Sequence, residues 1–226
     1  MNDFRKNAGF TLVEIAIVLV IIGLLLGGVL KGQEMIENAR IKNLINDIDG
    51  VSAAIYAYQD RYKSLPGDDK LASNAGRGWT NAVAGDGNGR LDNNNAYDAG
   101  NANENQLMWQ HLRYAGFVSG NPAGTTANVD GRANPANAYN GKIGISAATT
   151  TWGLGLRGNI LCASAVPGKA AQAVDAHFDD GLPNSGSVRA RLATTATPAT
   201  EEPAGTTPAT TYIDDSASYY TICKTL

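Results

Sequence analysis

Charge is scarce in this sequence. Of 226 residues 17% are Asp, Glu, Lys or Arg, and 21 acidic residues outnumber 18 basic ones for a net charge of −3. A nucleic-acid-binding face needs clustered Lys and Arg, so the composition argues against a phosphate-backbone partner. Histidine occurs twice, at His111 and His177, and cysteine twice, at Cys162 and Cys223. That is too little, too widely spaced, for a zinc set or a Cys–His nucleophile pair. No GxxxxGK[ST] run and no Rossmann glycine fingerprint is present. The sequence therefore predicts no enzyme. Proline is absent between residues 10 and 65, which removes the strongest helix breaker from the first quarter of the chain.

What the N-terminal quarter does have is one long apolar run. Residues 1–9, MNDFRKNAG, are short and polar and carry Arg5 and Lys6; residues 10–30 are apolar except for Thr11 and Glu14. At 1.5 Å per residue that run spans roughly 30 Å as a helix, the hydrocarbon thickness of a bilayer. The basic pair before it predicts a single-pass anchor with a cytoplasmic N-terminus and the remainder exported. A cleavable secretory signal would have a shorter apolar core with a small-x-small site after it, and no helix continuing without a break. A plain signal anchor fits the length but leaves Glu14 without a role, and a carboxylate at the membrane needs a partner or a proton.

The run Gly9-Phe10-Thr11-Leu12-Val13-Glu14 resembles the N-terminal signal of type IV prepilins and type II secretion pseudopilins. The resemblance implies that a membrane prepilin peptidase cuts between Gly9 and Phe10 and N-methylates Phe10. It implies that Glu14, fifth in the mature chain, pairs with the N-terminal amine of a neighbouring subunit and sets axial register. The partners it implies are a homo-oligomeric or mixed pilin filament, the peptidase, an inner-membrane assembly platform, and membrane lipid before assembly. The location implied is the inner membrane, then a periplasmic or extracellular filament. Low dielectric strengthens such a charge pair and penalises a misplaced subunit.

Beyond residue 30 the apolar positions Ile36, Ile41, Leu44, Ile45, Ile48, Val51, Ile55, Tyr58 and Tyr62 mostly recur every three or four residues, the stripe of an amphipathic helix. Pro66-Gly67 predicts its stop. The expected fold is α+β and pilin-like, a long N-terminal helix packed on a small antiparallel sheet domain. Its parts are a leader at 1–9, a membrane or filament-core segment at 10–30, an amphipathic half at 31–64 and an extracytoplasmic domain at 65–226. Many major pilins carry a proline near the end of the apolar segment; here Gly23, Gly27, Gly28 and Gly32 are the weak points instead.

In the domain, GDGNGRLD at 85–92 matches about half of an EF-type calcium loop. Asp86, Asn88 and Asp92 take oxygen-ligand positions, Arg90 offers a backbone carbonyl, and Gly89 takes the sharp turn. Ala84 and Asn95 occupy the first and last ligand positions, where the pattern fails; Asp68, Asp69 and Asp98 are further candidates. A polar Asn/Gly turn explains the same residues, and the two readings stand side by side. Residues 104–117 predict a second helix with Leu107, Met108, Leu112 and Ala115 inward and Gly116 ending it. His111 in it reads as structural or surface rather than as a ligand, and His177 is equally isolated. Residues 142–160 predict antiparallel strands with Gly turns. Residues 171–178 predict a short helix with Val174, Ala176 and Phe178 partly buried, and Asp179-Asp180-Gly181 a turn rather than a catalytic carboxylate pair. The run at 174–190 resembles a helix–turn–strand segment of larger pilin-like proteins.

The Thr-, Ala- and Pro-rich stretch 193–211 predicts an exposed loop. Residues 218–223 predict an edge strand. Cys162 and Cys223 lie on the same, exported side of the apolar run, where a disulfide is expected. Three functions compete: a structural pilus subunit, major or minor; a secretion pseudopilin; and a membrane-tethered calcium-dependent adhesion protein that never polymerises.

Overall fold

The computed structural model describes residues 11–79, 81–91, 96–97, 103–123, 131–149, 153–194, 203, 205–215 and 217–226. Gly9, Phe10, Asp92, Asn95 and Asp98 lie outside these.

Helix α1 (Leu12–Tyr62) is unbroken over 51 residues. With no proline in it, no backbone donor is lost and no ring clashes with the preceding turn. Its apolar side chains from Leu12 to Leu30 are all exposed. This segment is long and apolar enough to cross a membrane. The two compact units of the chain, residues 1–40 and 41–226, divide within this helix. In the second unit the buried stripe runs Ile41, Leu44, Ile48, Val51, Ile55, Tyr58. Ile36, expected on that stripe, is 57% exposed: the stripe begins one turn later, inside the second unit. The helix ends when Lys63 turns left-handed (φ 54°), before Pro66-Gly67.

Four strands form one antiparallel sheet: β1 (Ile143–Ala148), β2 (Gly158–Pro167), β3 (Val188–Leu192) and β4 (Tyr219–Thr225), in the order β1-β2-β4-β3. The 218–223 segment is thus not an edge strand. It pairs with β2 on one side and β3 on the other, and its alternation puts Tyr220 and Ile222 on one face and Thr221 and Cys223 on the other, all four buried. One face joins α1, α2 (Glu104–Tyr114) and α3 (Gly168–Phe178) in the main core, through Ile143, Ile145, Leu161, Ala163, Ala190 and Ile222. The opposite face covers a smaller core of Ile160, Cys162, Cys223, Tyr97, Leu154 and Leu156. Gly144 permits the close approach on that side, since a Cβ there would sit 2.3 Å from the Ala96 carbonyl.

Helix α2 ends as expected: Gly116 has φ 78° and Phe117 N–H donates to the Leu112 carbonyl at 3.0 Å. In α3 Val174 is buried and Phe178 half-buried, but Ala176 is exposed. The Thr/Pro-rich stretch is not simply a free loop where it is described. Pro203 is buried and its carbonyl accepts the Gly153 N–H at 3.1 Å, and Ala209 N–H donates to Ala190 at 2.7 Å. These backbone bonds tie a weakly apolar segment to the sheet without a core of its own.

Candidate processing and assembly site

The start of α1 is built by two side chains. Thr11, the residue before the helix, accepts the Glu14 N–H on its hydroxyl at 3.3 Å. Glu14 in return accepts the Thr11 N–H and the Thr11 O–H on Oε2, each at 2.8 Å. This reciprocal pair is a capping box, which satisfies donors that a helix start leaves without intrahelical partners. The Thr-x-x-Glu spacing is its sequence signal, and reading Glu14 only through a neighbouring subunit misses it. Glu14 is exposed.

Far along the same helix a second polar group is buried. Tyr58 donates its O–H to Asp69 at 2.7 Å, and Arg77 pairs with the same carboxylate at 2.5 Å. Burial pushes Asp69 upward, but the bonds from Arg77, Tyr58 and the Leu71 N–H outweigh it and hold the carboxyl below its ordinary range. The Arg77 guanidinium also lies 4.7 Å from the Tyr62 ring centroid and 5.2 Å from that of Trp79.

Next to this network His111 is wholly buried. Its Nδ1 accepts the Gly67 N–H at 2.9 Å, and Nε2 lies 2.7 Å from the Val83 carbonyl, so the neutral Nε2–H tautomer satisfies both. Burial pushes its pKa down to about 4, against an upward pull from the Val83 carbonyl. Gly67 is required here: its φ is 95° and a Cβ would meet the Glu104 carbonyl at 2.3 Å. The structural reading of His111 therefore holds, as a strut between two loops. His177 is exposed and stacks edge-on with Phe178 at 4.9 Å.

The acidic turn differs from the linear calcium pattern. Asp86, Asn88 and Arg90 form a run of Asx bonds: Asp86 accepts from the Asn88 N–H and side-chain amide, and Asn88 accepts the Arg90 N–H. The carboxylates that gather are Asp68, Asp86 and Glu104, with oxygens within 4.8 Å of one another. Glu104, on α2, is absent from the linear pattern because it lies 18 residues beyond Asp86. Hard cations take such oxygen sets. The same oxygens already accept backbone donors, Asp68 from Asn88 at 2.9 Å and Gly89 at 2.7 Å, and Glu104 from Asp86 at 3.1 Å. The turn is therefore held together by N–H groups of its own.

Asp175, Asp179 and Asp180 also converge. Asp175 is buried and accepts from Tyr212 at 2.6 Å and Gly181 at 3.2 Å. Asp179 accepts from the Ser187 and Val188 N–H groups, and Asp180 from Leu182 and Ser185. These bonds shape the turn between α3 and β3. Cys162 and Cys223 face each other in register on β2 and β4 and form the expected disulfide.

A family model, the prokaryotic N-terminal methylation motif, matches residues 4–30. None of the curated proteins compared with the chain matches it. The matched residues contain Gly9, Phe10, Thr11 and Glu14 and run into the exposed apolar half of α1. The chain thus bears, over these residues, the N-terminal methylation motif of prepilin peptidase substrates of the type IV pilin and pseudopilin type, and the motif leads into a helix long and apolar enough to cross a membrane.

Proposed function

We propose that the chain is a structural, non-catalytic subunit of a type IV pilus-like filament. The observation that carries this reading is the methylation motif leading directly into an apolar helical segment that the chain leaves uncovered. A helix apolar on all sides needs lipid or other helices around it. Before assembly lipid fills that role; in the filament the same segments of neighbouring subunits replace lipid. Prepilin peptidase cuts between Gly9 and Phe10 and methylates the new amine. That amine pairs with Glu14 of an adjacent subunit, on the carboxylate whose other bonds cap its own helix at Thr11. The anchor lies in the inner membrane with its N-terminus cytoplasmic.

The absence of any helix break in α1 favours a second reading beside the pilus, a pseudopilin of a type II secretion system. Intact mass and N-terminal sequencing of the membrane-fraction protein, made with and without prepilin peptidase, test the processing step. A chain beginning at methylated Phe10 is the expected result. A chain still beginning at Met1 with peptidase present overturns the reading and leaves a tethered, non-polymerising protein. Fibres sheared from cells, present or absent, separate pilus from pseudopilus.

A further inference from the structure

The fold accounts for only part of the Thr/Pro-rich stretch. Pro198, Pro203 and Pro208 recur every five residues, and eight of the chain's 17 threonines lie between residues 194 and 211. Over residues 205–213 this strap is held by backbone groups and one tyrosine. The Gly205 carbonyl accepts the Leu154 N–H at 3.0 Å, and Ala209 N–H donates to the Ala190 carbonyl at 2.7 Å. The Thr211 carbonyl accepts the Tyr220 O–H at 3.1 Å, and Tyr212 donates to buried Asp175 at 2.6 Å. Threonine side chains take no part in these bonds. Thr206, Thr207 and Thr210 are exposed, between the small residues Gly205, Pro208 and Ala209. Strand β3 is one edge of the sheet, and the Ala209–Ala190 bond sets the strap against it.

We propose that Thr206, Thr207 and Thr210 are acceptors for O-linked glycosylation. A composition of Thr, Pro and Ala builds no core and keeps such hydroxyls accessible. In the transfer, threonine Oγ1 bonds to the anomeric carbon of a sugar carried on a diphosphate. The bond from that carbon to the diphosphate oxygen breaks, the diphosphate leaves, and the hydroxyl proton passes to a base on the transferase. A phosphoryl group is the other common modification of a hydroxyl. It needs a nucleoside triphosphate, a cytosolic donor, whereas the Cys162–Cys223 disulfide belongs to an oxidising compartment. Bound phosphate also gains from nearby Lys or Arg, and none occurs between residues 192 and 223. A neutral sugar needs no counter-ion. On both sides of Ala209 sugars add hydrated bulk beside the β3 edge, which opposes pairing with a second chain. The inference rests on the export in the reading above and not on assembly.

Protein isolated from the cells that make it tests this by mass. Trypsin cuts after Arg191 and Lys224 and nowhere between, so after reduction one peptide, 192–224, carries all three sites. Fragmentation that keeps side-chain groups attached is expected to place sugar-residue increments on Thr206, Thr207 and Thr210. The same chain made in a host without protein glycosyltransferases should carry none. Replacing the three together, Thr206→Ala, Thr207→Ala and Thr210→Ala, should remove the increments. In the host without transferases that variant should match the thermal midpoint of wild type, because the strap's bonds are kept. A 192–224 peptide of unmodified mass overturns the proposal. So does a phosphate increment on it, or sugar confined to other residues. The N-terminus read from the same sample separates the two readings. An unmodified chain beginning at methylated Phe10 sinks this inference alone, and one beginning at Met1 sinks the processing reading as well.

Discussion

Glu14 holds Thr11 twice through one oxygen, taking both its N–H and its O–H at 2.8 Å, while the Thr11 hydroxyl takes the Glu14 N–H. The carboxylate thus has a task inside its own subunit besides the proposed one between subunits. Glu14→Gln separates the two, because the amide oxygen still accepts from Thr11 but carries no charge. The variant is expected to be cleaved and methylated normally and to be missing from the sheared filament fraction on immunoblots. Thr11→Val, which loses the hydroxyl and keeps the charge at Glu14, should still assemble. Filaments of Glu14→Gln at wild-type levels would remove the intersubunit role.

His111 gives the fold an acid sensitivity with a defined sign. The unfolded imidazole titrates near 6.5 and the folded one near about 4, so between those values the unfolded state binds one more proton. Stability contributed by neutral His111 is complete above pH 6.5, declines as pH falls through the window, and is gone below about 4, about 3 kcal/mol in all. Chemical denaturation at a series of pH values, wild type against His111→Gln, isolates this slope. Equal slopes in the two proteins would assign the acid sensitivity to other groups.

Removing Asp69 leaves Arg77 beside a buried hydroxyl with no countercharge. Asp69→Ala should lower stability by about 3 kcal/mol, the size expected when one member of a buried pair is deleted. Tyr58→Phe, which removes one donor and keeps the ring, should cost about 1 kcal/mol. Comparable losses in the two variants would mean that the ion pair adds little beyond the hydrogen bond.

Cross-linking β2 to β4 closes a separation of 61 residues. Reduction, or Cys162→Ala with Cys223→Ala, should lower stability by about 4 kcal/mol. Urea midpoints with and without reductant measure it, and the double variant should no longer respond to reductant.

Asp68 is 4% exposed and accepts two N–H groups of the 85–92 turn. Asp68→Ala should cost about 1–3 kcal/mol, equally in excess chelator and in millimolar calcium. A loss confined to the calcium-containing samples would identify the turn as a cation site instead.

Much of this architecture was legible in the residues. The unbroken apolar run, the three-and-four spacing from Ile41 and the Gly116 stop each state a local preference that nothing distant overrides. The errors have distant causes. Residues 218–223 look like an edge strand because alternation reports which side chains are buried, not which strands lie on either side. Nothing before Arg189 and Cys223 meet across β3 and β4 reveals that the strand is central. The acidic turn shows the same limit. A linear motif offers Asp86 and Asn88, with Asp68 as a further candidate, but not Glu104, which only the packing of α2 against the loop brings near. Ile36 was misplaced because a helical stripe can continue past the point where the packing partner ends.

Strand β4 lies between β2 and β3 in the sheet yet follows both in the chain. Until it arrives, β3 has no strand to pair with and Cys162 has no disulfide partner. The sheet therefore closes late: β1 and β2 pair with each other alone, whereas the β3 edge and the disulfide both wait for the last of the four strands.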